Sequence, residues 1–84
     1  MPKEVENVKY YAVFPPGGDT PDLVFRELIM SADYRLERFD VSVRRWVLDM
    51  PALAPYRFLG ETGVRPLPDR NAAAAALRAL VRGR

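Results

Sequence analysis

The chain has 84 residues, a length that suits one small domain, and it contains neither cysteine nor histidine. The lack of cysteine excludes disulfides and thiolate nucleophiles, and the lack of histidine removes the commonest general base and metal ligand. The net charge is only +2, from 13 basic and 11 acidic residues, and no spacing of carboxylates, serines or lysines indicates catalysis. We therefore expect a protein that is not an enzyme and needs no metal or cofactor.

Small size also shapes the expected partners and location. A domain of this length buries only about 60% of its unfolded surface, so association with a protein partner or with itself would add stability. No apolar run approaches the roughly 20 residues of a membrane span, and the polar residues 1–7 do not resemble a signal peptide. These features predict a cytoplasmic protein without membrane association.

The first part of the chain predicts a β-hairpin. Residues 1–7 are expected to form a flexible N-terminal arm ahead of a single α+β domain over residues 8–84. Residues 8–14 read as a strand with two largely apolar faces, which is typical of an inner strand. One of these faces holds Val8, Tyr10, Ala12 and Phe14. Residues 15–22 contain three prolines and two glycines and predict the hairpin loop.

Three further segments read as β structure. Residues 23–30 allow either a strand or a helix, and their β-branched and aromatic content favours a strand. Residues 34–39 alternate apolar and charged side chains, as in a strand with one solvated face. A turn over residues 40–44 then leads into a short fourth strand over residues 45–48.

A short helix is predicted over residues 51–59. Asp49 occupies its N-cap position, Pro51 lies in its first turn and Gly60 ends it. Its apolar face is formed by Leu53, Tyr56 and Leu59. Residues 61–68 read as a connector, in which the expected anchors are Val64 and Leu67.

The last helix has the clearest pattern in the chain. Asp69 or Asn71 caps it, a run of five alanines propagates it and Gly83 ends it. Its predicted buried stripe consists of Ala73, Leu77, Leu80 and Val81. The elements together predict an α+β fold: a small antiparallel sheet of three or four strands, with the short helix and the C-terminal helix packed on one face.

The middle of the chain resembles a set of short uncharacterised proteins from high-GC bacteria. The residues that carry the resemblance are Leu36-Glu37-Arg38-Phe39-Asp40, Arg45-Trp46-Val47, Asp49, Leu53, Tyr56 and Leu59-Gly60. Those proteins also begin with a tyrosine-rich strand and end in an alanine-rich helix, so the resemblance covers residues 8–81. This chain differs at Val41-Ser42-Val43, where a glycine turn is expected, and at Pro68, where a serine or threonine cap is expected. The resemblance implies the order of elements and no activity.

Arginine and aromatic residues supply the candidate interaction surface. Its members are Arg35, Arg38, Arg44, Arg45, Trp46, Tyr56 and Arg57. Basic side chains interleaved with aromatic rings are typical of single-strand nucleic-acid platforms, but interleaved acids favour a solvated face with salt bridges. A lone tryptophan in a small domain usually completes the core, an interpretation that we favour for Trp46 over an interface anchor.

The sequence therefore favours a non-enzymatic accessory or regulatory protein that acts through protein–protein interaction. The alternative is a nucleic-acid-binding module that uses an arginine and aromatic face of the sheet. No residue is assigned a catalytic, cofactor-binding or metal-binding role. The paired acids Asp19 and Asp22 read as ordinary turn residues, since a calcium loop needs more oxygen ligands at closer spacing.

Overall fold

The structure, a computed structural model, describes residues 5–58 and 63–83, which form five strands and two helices. In chain order these are β1 (Val5–Val13), β2 (Leu23–Met30), β3 (Asp33–Asp40), β4 (Arg45–Leu48), α1 (Met50–Phe58), β5 (Val64–Leu67) and α2 (Arg70–Arg82). The strands form one antiparallel sheet in the spatial order β4-β3-β2-β1-β5. The predicted α+β class is confirmed, and the sheet has five strands where three or four were expected.

Each face of the sheet carries its own helix and its own hydrophobic core. On one face, Ala12 and Val24 pack against Leu80 of α2. On the other, Phe25 packs against Leu53 of α1. Because Val24 and Phe25 are neighbours on β2, their side chains point to opposite faces. The prediction that both helices pack on one face is therefore wrong: the sheet lies between them, with an α1 face and an α2 face.

The strands predicted from residue alternation are present. The segment over residues 23–30 is a strand, paired with β1 on one side and β3 on the other, and residues 14–22 form the hairpin loop. β1 begins at Val5, so residues 5–7 of the predicted arm extend the first strand, while residues 1–4 lie outside the described residues. The central position of β2 explains why both of its faces are apolar.

β5 is a strand that the sequence did not predict, since its residues were interpreted as a connector. The pairing of β5 with β1 begins at Gly63, where the Phe14 amide donates a hydrogen bond to the Gly63 carbonyl at 2.9 Å. Every second residue of an antiparallel pair exchanges such bonds, so Arg65 is in phase and Pro66 is not. Pro66 therefore loses no ladder bond, which is why an edge strand tolerates it.

The helices begin and end within one residue or so of their predicted bounds. The Asp69 carboxylate accepts a hydrogen bond from the Ala72 amide at 2.8 Å, which makes Asp69 the N-cap of α2 in preference to Asn71. Gly83 is its C-cap, as predicted. Ala73 and Leu80 are buried, and Leu77 is half-buried against the sheet. Leu59 and Gly60, predicted to close α1, lie outside the described residues.

Candidate functional site

The predicted interaction surface does not form one basic face. Arg35 and Arg38 are three residues apart on β3, so their side chains leave opposite faces of the sheet. Each already has an acidic partner: Arg35 Nε lies 3.0 Å from Asp33 Oδ2, and Arg38 Nε lies 2.8 Å from Asp49 Oδ2. The described arginines of β3 are therefore separated and neutralised rather than gathered for a ligand.

Arg38 has a second acidic partner that ties it to the following turn. Its Nη1 lies 3.3 Å from Asp40 Oδ2, and the bonds to Asp49 and then to Asp40 raise the pKa of Arg38 above its ordinary value. The Ser42 hydroxyl donates to Asp40 at 2.6 Å and is the largest cause of the lowered pKa of that carboxyl, to which Arg38 also contributes. This network fixes the turn over residues 41–44 and the start of α1.

Trp46 is half-buried on the α2 face and part of its ring system is already occupied. The Arg26 guanidinium lies 4.4 Å from the Trp46 ring centroid, and Arg26 itself is held by Glu37 at 2.7 Å. Phe39 meets the indole edge-on at 5.5 Å, and Tyr10 lies 6.1 Å away. The core interpretation of Trp46 thus accounts for most of its contacts, and its position on β4 leaves it beside the edge of the sheet.

Two further members of the predicted surface lie on α1. Tyr56 packs into the α1-face core, with its ring centroid 6.2 Å from that of Phe25. Arg57 belongs to α1, and its side chain lies outside the described residues. Of the aromatic residues in the predicted set, Tyr56 is therefore engaged in the core, where a stacking base would have to displace Phe25.

A different arginine cluster forms where the turn over residues 41–44 meets α2. Arg44, Arg78 and Arg82 line a groove of about 350 Å³ together with Leu77 and Val81. We call these five residues the basic groove. The three arginines are exposed, and the two aliphatic side chains are half-buried and form an apolar floor between them. The groove thus offers three forked cationic donors around a site large enough for an aliphatic side chain.

Backbone strain is stored at one member of the basic groove. Arg44 has φ 55°, the left-handed region that non-glycine residues rarely adopt, and it is the only non-glycine residue with positive φ among those that the structure describes. It occupies the turn in which the resemblance led us to expect glycine. A strained residue at a turn is more informative than a relaxed one, because glycine there would remove the strain at the expense of the side chain.

No carboxylate of the described residues forms an ion pair with the basic groove. Within residues 5–58 and 63–83, no ion pair involves Arg44, Arg78 or Arg82. α2 contains no acidic residue at all, so its arginines have no partner one turn away. A neighbouring cavity of about 400 Å³ has mixed lining, with Asp22 and Asp40 beside Arg38. The basic groove is distinguished from it by carrying charge of one sign.

The sequence analysis named Arg44 but missed the two arginines of α2. Arg78 and Arg82 are one turn apart on a helix without acids, and that spacing is the signal from which they could have been found. Their convergence with Arg44 joins residues far apart in the chain. Only the packing of α2 across the sheet brings the three together.

Among the described residues, no group of three or more acidic side chains could hold a metal ion. No helix in the same part of the chain is long and apolar enough to cross a bilayer. Comparison of the chain with protein-family models, curated proteins and solved structures gives no match.

Proposed function

We propose that this chain is a non-enzymatic accessory or regulatory module that binds another protein, and that its basic groove receives an acidic segment of that protein. The observation that carries the proposal is the convergence of Arg44, Arg78 and Arg82 around Leu77 and Val81, with no acidic side chain among the described residues that line the groove. A guanidinium forms forked hydrogen bonds with a carboxylate, so three of them recognise a segment bearing several Asp or Glu residues.

The floor of the groove distinguishes a protein segment from a nucleic acid. Leu77 and Val81 are aliphatic, and none of the described side chains that line the basic groove is aromatic. Single-stranded nucleic acids are bound by stacking bases on aromatic rings, whereas an aliphatic floor suits a leucine-sized side chain of a peptide. The preferred ligand is therefore an acidic segment with at least one aliphatic residue between its carboxylates.

The affinity expected for an acidic segment is limited by the exposure of the three arginines. Ion pairs of exposed arginines contribute about 0.2–1 kcal/mol each, so three contribute at most about 3 kcal/mol. Burial of one aliphatic side chain adds about 1.5–3 kcal/mol, and other backbone and rim contacts must offset the cost of ordering the segment. We expect a dissociation constant between tens of micromolar and about 1 mM, which corresponds to about −6 to −4 kcal/mol, for a segment that also contacts the rim.

Selection from a phage-displayed random peptide library tests the proposal. We expect the wild-type protein to enrich peptides with Asp or Glu on both sides of Leu, Ile or Val. Arg78→Glu should weaken binding of the enriched peptide about tenfold or more in fluorescence anisotropy. The matched control is Arg70→Glu, which makes the same change of charge on α2 outside the groove and should leave binding nearly unchanged.

Two outcomes would contradict the proposal. Enrichment of sequences without acids would show that the groove does not select by charge. Equal losses in the Arg78→Glu and Arg70→Glu variants would show attraction to the whole protein rather than to the groove. The nucleic-acid alternative is tested with single-stranded oligothymidylate in about 150 mM salt. Submicromolar binding that is abolished in Arg78→Glu and retained in Arg70→Glu would show that the ligand of the groove is a nucleic acid and not a protein segment.

A further inference from the structure

β4 is an edge strand, and the backbone groups on its outer side form no hydrogen bond with the residues that the structure describes. The Asp49 amide donates to the Leu36 carbonyl at 3.1 Å, so the ladder between β3 and β4 continues one residue past Leu48. In an antiparallel pair alternate residues bond the neighbouring strand, which places Arg45, Val47 and Asp49 in phase with β3. The amide and carbonyl groups of the residues between them, Trp46 and Leu48, therefore point outward from the edge.

The side chains at this edge are also incompletely covered. Leu48 is 55% exposed, and it is one of two large apolar side chains in the described part of the chain that are more than half exposed. Trp46 is half-buried beside it. Both lie on the α2 face, as the pairing of Trp46 with Phe39 requires. The helices pack mainly over β1, β2, β3 and β5, so the edge of β4 faces outward. Open edge strands with apolar side chains are sites of strand addition.

The edge segment is complementary to itself. Written against a second copy that runs antiparallel, with Val47 facing Val47, residues 45–49 match at every position: Arg45 faces Asp49 and Trp46 faces Leu48. Opposite charges meet on the α1 face and apolar side chains meet on the α2 face. The Arg38 contact engages Oδ2 of Asp49, and Oδ1 accepts no hydrogen bond from the described residues.

Backbone phase and turn geometry select the same register. Trp46 and Leu48 are the residues with outward groups, and this register sets each opposite the other, which gives four intermolecular backbone hydrogen bonds. A shift by one step toward the turn would pair Leu48 with Arg44, whose φ of 55° is not extended. A shift the other way would pair Trp46 with Met50, which begins α1. Neither neighbouring register sets Arg45 opposite an acidic residue.

We propose that β4 pairs with β4 of a second copy of this chain, so that two five-stranded sheets form one ten-stranded antiparallel sheet across a two-fold axis. The occupant is a second copy because the charges, the apolar side chains and the outward backbone groups of one edge are satisfied by the same edge reversed. The interface is small, so we expect a reversible dimer with a dissociation constant on the order of 10–100 μM. The proposal does not depend on the basic groove, since none of the five residues of the groove lies within the paired segment 45–49.

Sedimentation equilibrium and tryptophan fluorescence test the dimer. We expect the mass to rise from monomer toward dimer between about 1 μM and 1 mM protein. Trp46 is the only tryptophan, so its emission should shift to shorter wavelength over the same concentrations as Leu48 of the second copy covers it. A monomeric mass at the highest concentration would overturn the proposal. A dimer whose formation leaves the emission of Trp46 unchanged would overturn it equally.

Leu48→Pro is the sharpest variant. It removes an outward amide and keeps the bonds to β3, so it should be monomeric throughout the concentration range. Val43→Ala changes an apolar residue that is 51% exposed but lies outside the strand, and its dimerisation should match the wild type. Should Leu48→Pro lose its fold by circular dichroism, Arg45→Glu takes its place, because it sets two acids opposite each other at both ends of the interface. A folded variant of either kind that dimerises like the wild type refutes the proposed register.

Discussion

Replacement of Arg44 by glycine separates the stability of this protein from its binding. The left-handed conformation costs a non-glycine residue about 1–2 kcal/mol, and glycine adopts it without strain. Glycine also makes the unfolded chain more flexible, which lowers stability by about 0.4–1 kcal/mol. The difference predicts that Arg44→Gly raises the free energy of unfolding by about 0.5–1 kcal/mol, or Tm by about 2–8 °C for a domain of this size.

The control is Arg44→Ala, which removes the same guanidinium but keeps a Cβ in the left-handed turn. We expect its stability to lie within about 0.5 kcal/mol of the wild type, because Arg44 is exposed and has no ion pair among the described residues. Both variants should lose affinity for the acidic peptide to the same extent, because both lack the guanidinium. Urea denaturation at neutral pH measures the stabilities, and anisotropy with the selected peptide measures the binding.

The two variants together can refute both the strain at Arg44 and its link to peptide binding. If Arg44→Gly is less stable than the wild type, or no more stable than Arg44→Ala, the turn is not strained and the argument from φ fails. If Arg44→Gly is more stable and still binds the peptide with full affinity, the strain is present but does not serve the basic groove. Only a gain in stability together with a loss of binding supports a turn that retains arginine for its ligand.

Three further predictions concern the fold itself. Leu80→Ala should cost about 2–5 kcal/mol in urea denaturation, because this buried side chain joins α2 to the sheet, whereas Arg78→Ala should cost less than about 0.5 kcal/mol; equal losses would refute the assignment of the buried stripe. Gly63→Ala should lower Tm more than Gly17→Ala. Both glycines have positive φ, but only at Gly63 would a Cβ meet a carbonyl oxygen, that of Phe14. Similar losses of Tm would mean that this close approach does not matter. The lowered pKa of Asp40 contributes stability that is present above its ordinary value of 3.8 and is lost as the pH falls through the lower folded value, so Asp40→Asn should lose less stability than the wild type between pH 7 and acid below that value; parallel pH profiles would refute it.

Local patterns were enough to predict most of the strands and both helices. Residue alternation found β3, and the cap at Asp69 with the alanine run found α2, because these signals depend on nearest neighbours in the chain. β5 was missed because four residues with a central Pro66 do not read as a strand, and only the pairing with β1 shows that the proline sits out of phase. Edge strands of this kind depend on a partner distant in sequence.

The placement of the helices could have been predicted more fully. Tyr11 and Val13 lie on one face of β1, with Tyr10 and Ala12 on the other, so both faces are apolar and both need cover. That pattern was used to identify an inner strand, but it also implies a helix on each side of the sheet. The sequence does not state which helix crosses to which face, because this depends on how the chain leaves β4 and β5.

The candidate site shows the same division between local and distant information. The separation of Arg35 and Arg38 onto opposite faces follows from their odd spacing along a strand and was available from the sequence. The basic groove was not, because Arg44 meets Arg78 and Arg82 only after α2 has packed across the sheet. Convergence of this kind depends on tertiary packing, which a pattern along the sequence does not show.

The net charge of +2 conceals a strong segregation of charge, and this bears on both candidate ligands. Three of the described acids of the sheet have partners within it: Asp33 pairs with Arg35, Glu37 with Arg26, and Asp40 with Arg38.

Glu27 is buried and accepts a hydrogen bond from the Tyr34 hydroxyl at 2.6 Å. With these acids engaged in the sheet, the arginines of α2 keep a positive field that the total charge does not suggest. A small net charge is therefore no argument against a polyanion, and salt dependence alone does not separate an acidic protein from a nucleic acid. The two ligands are distinguished by the side chains that line the groove. Arginines around Leu77 and Val81 favour a ligand that carries carboxylates and an aliphatic side chain together.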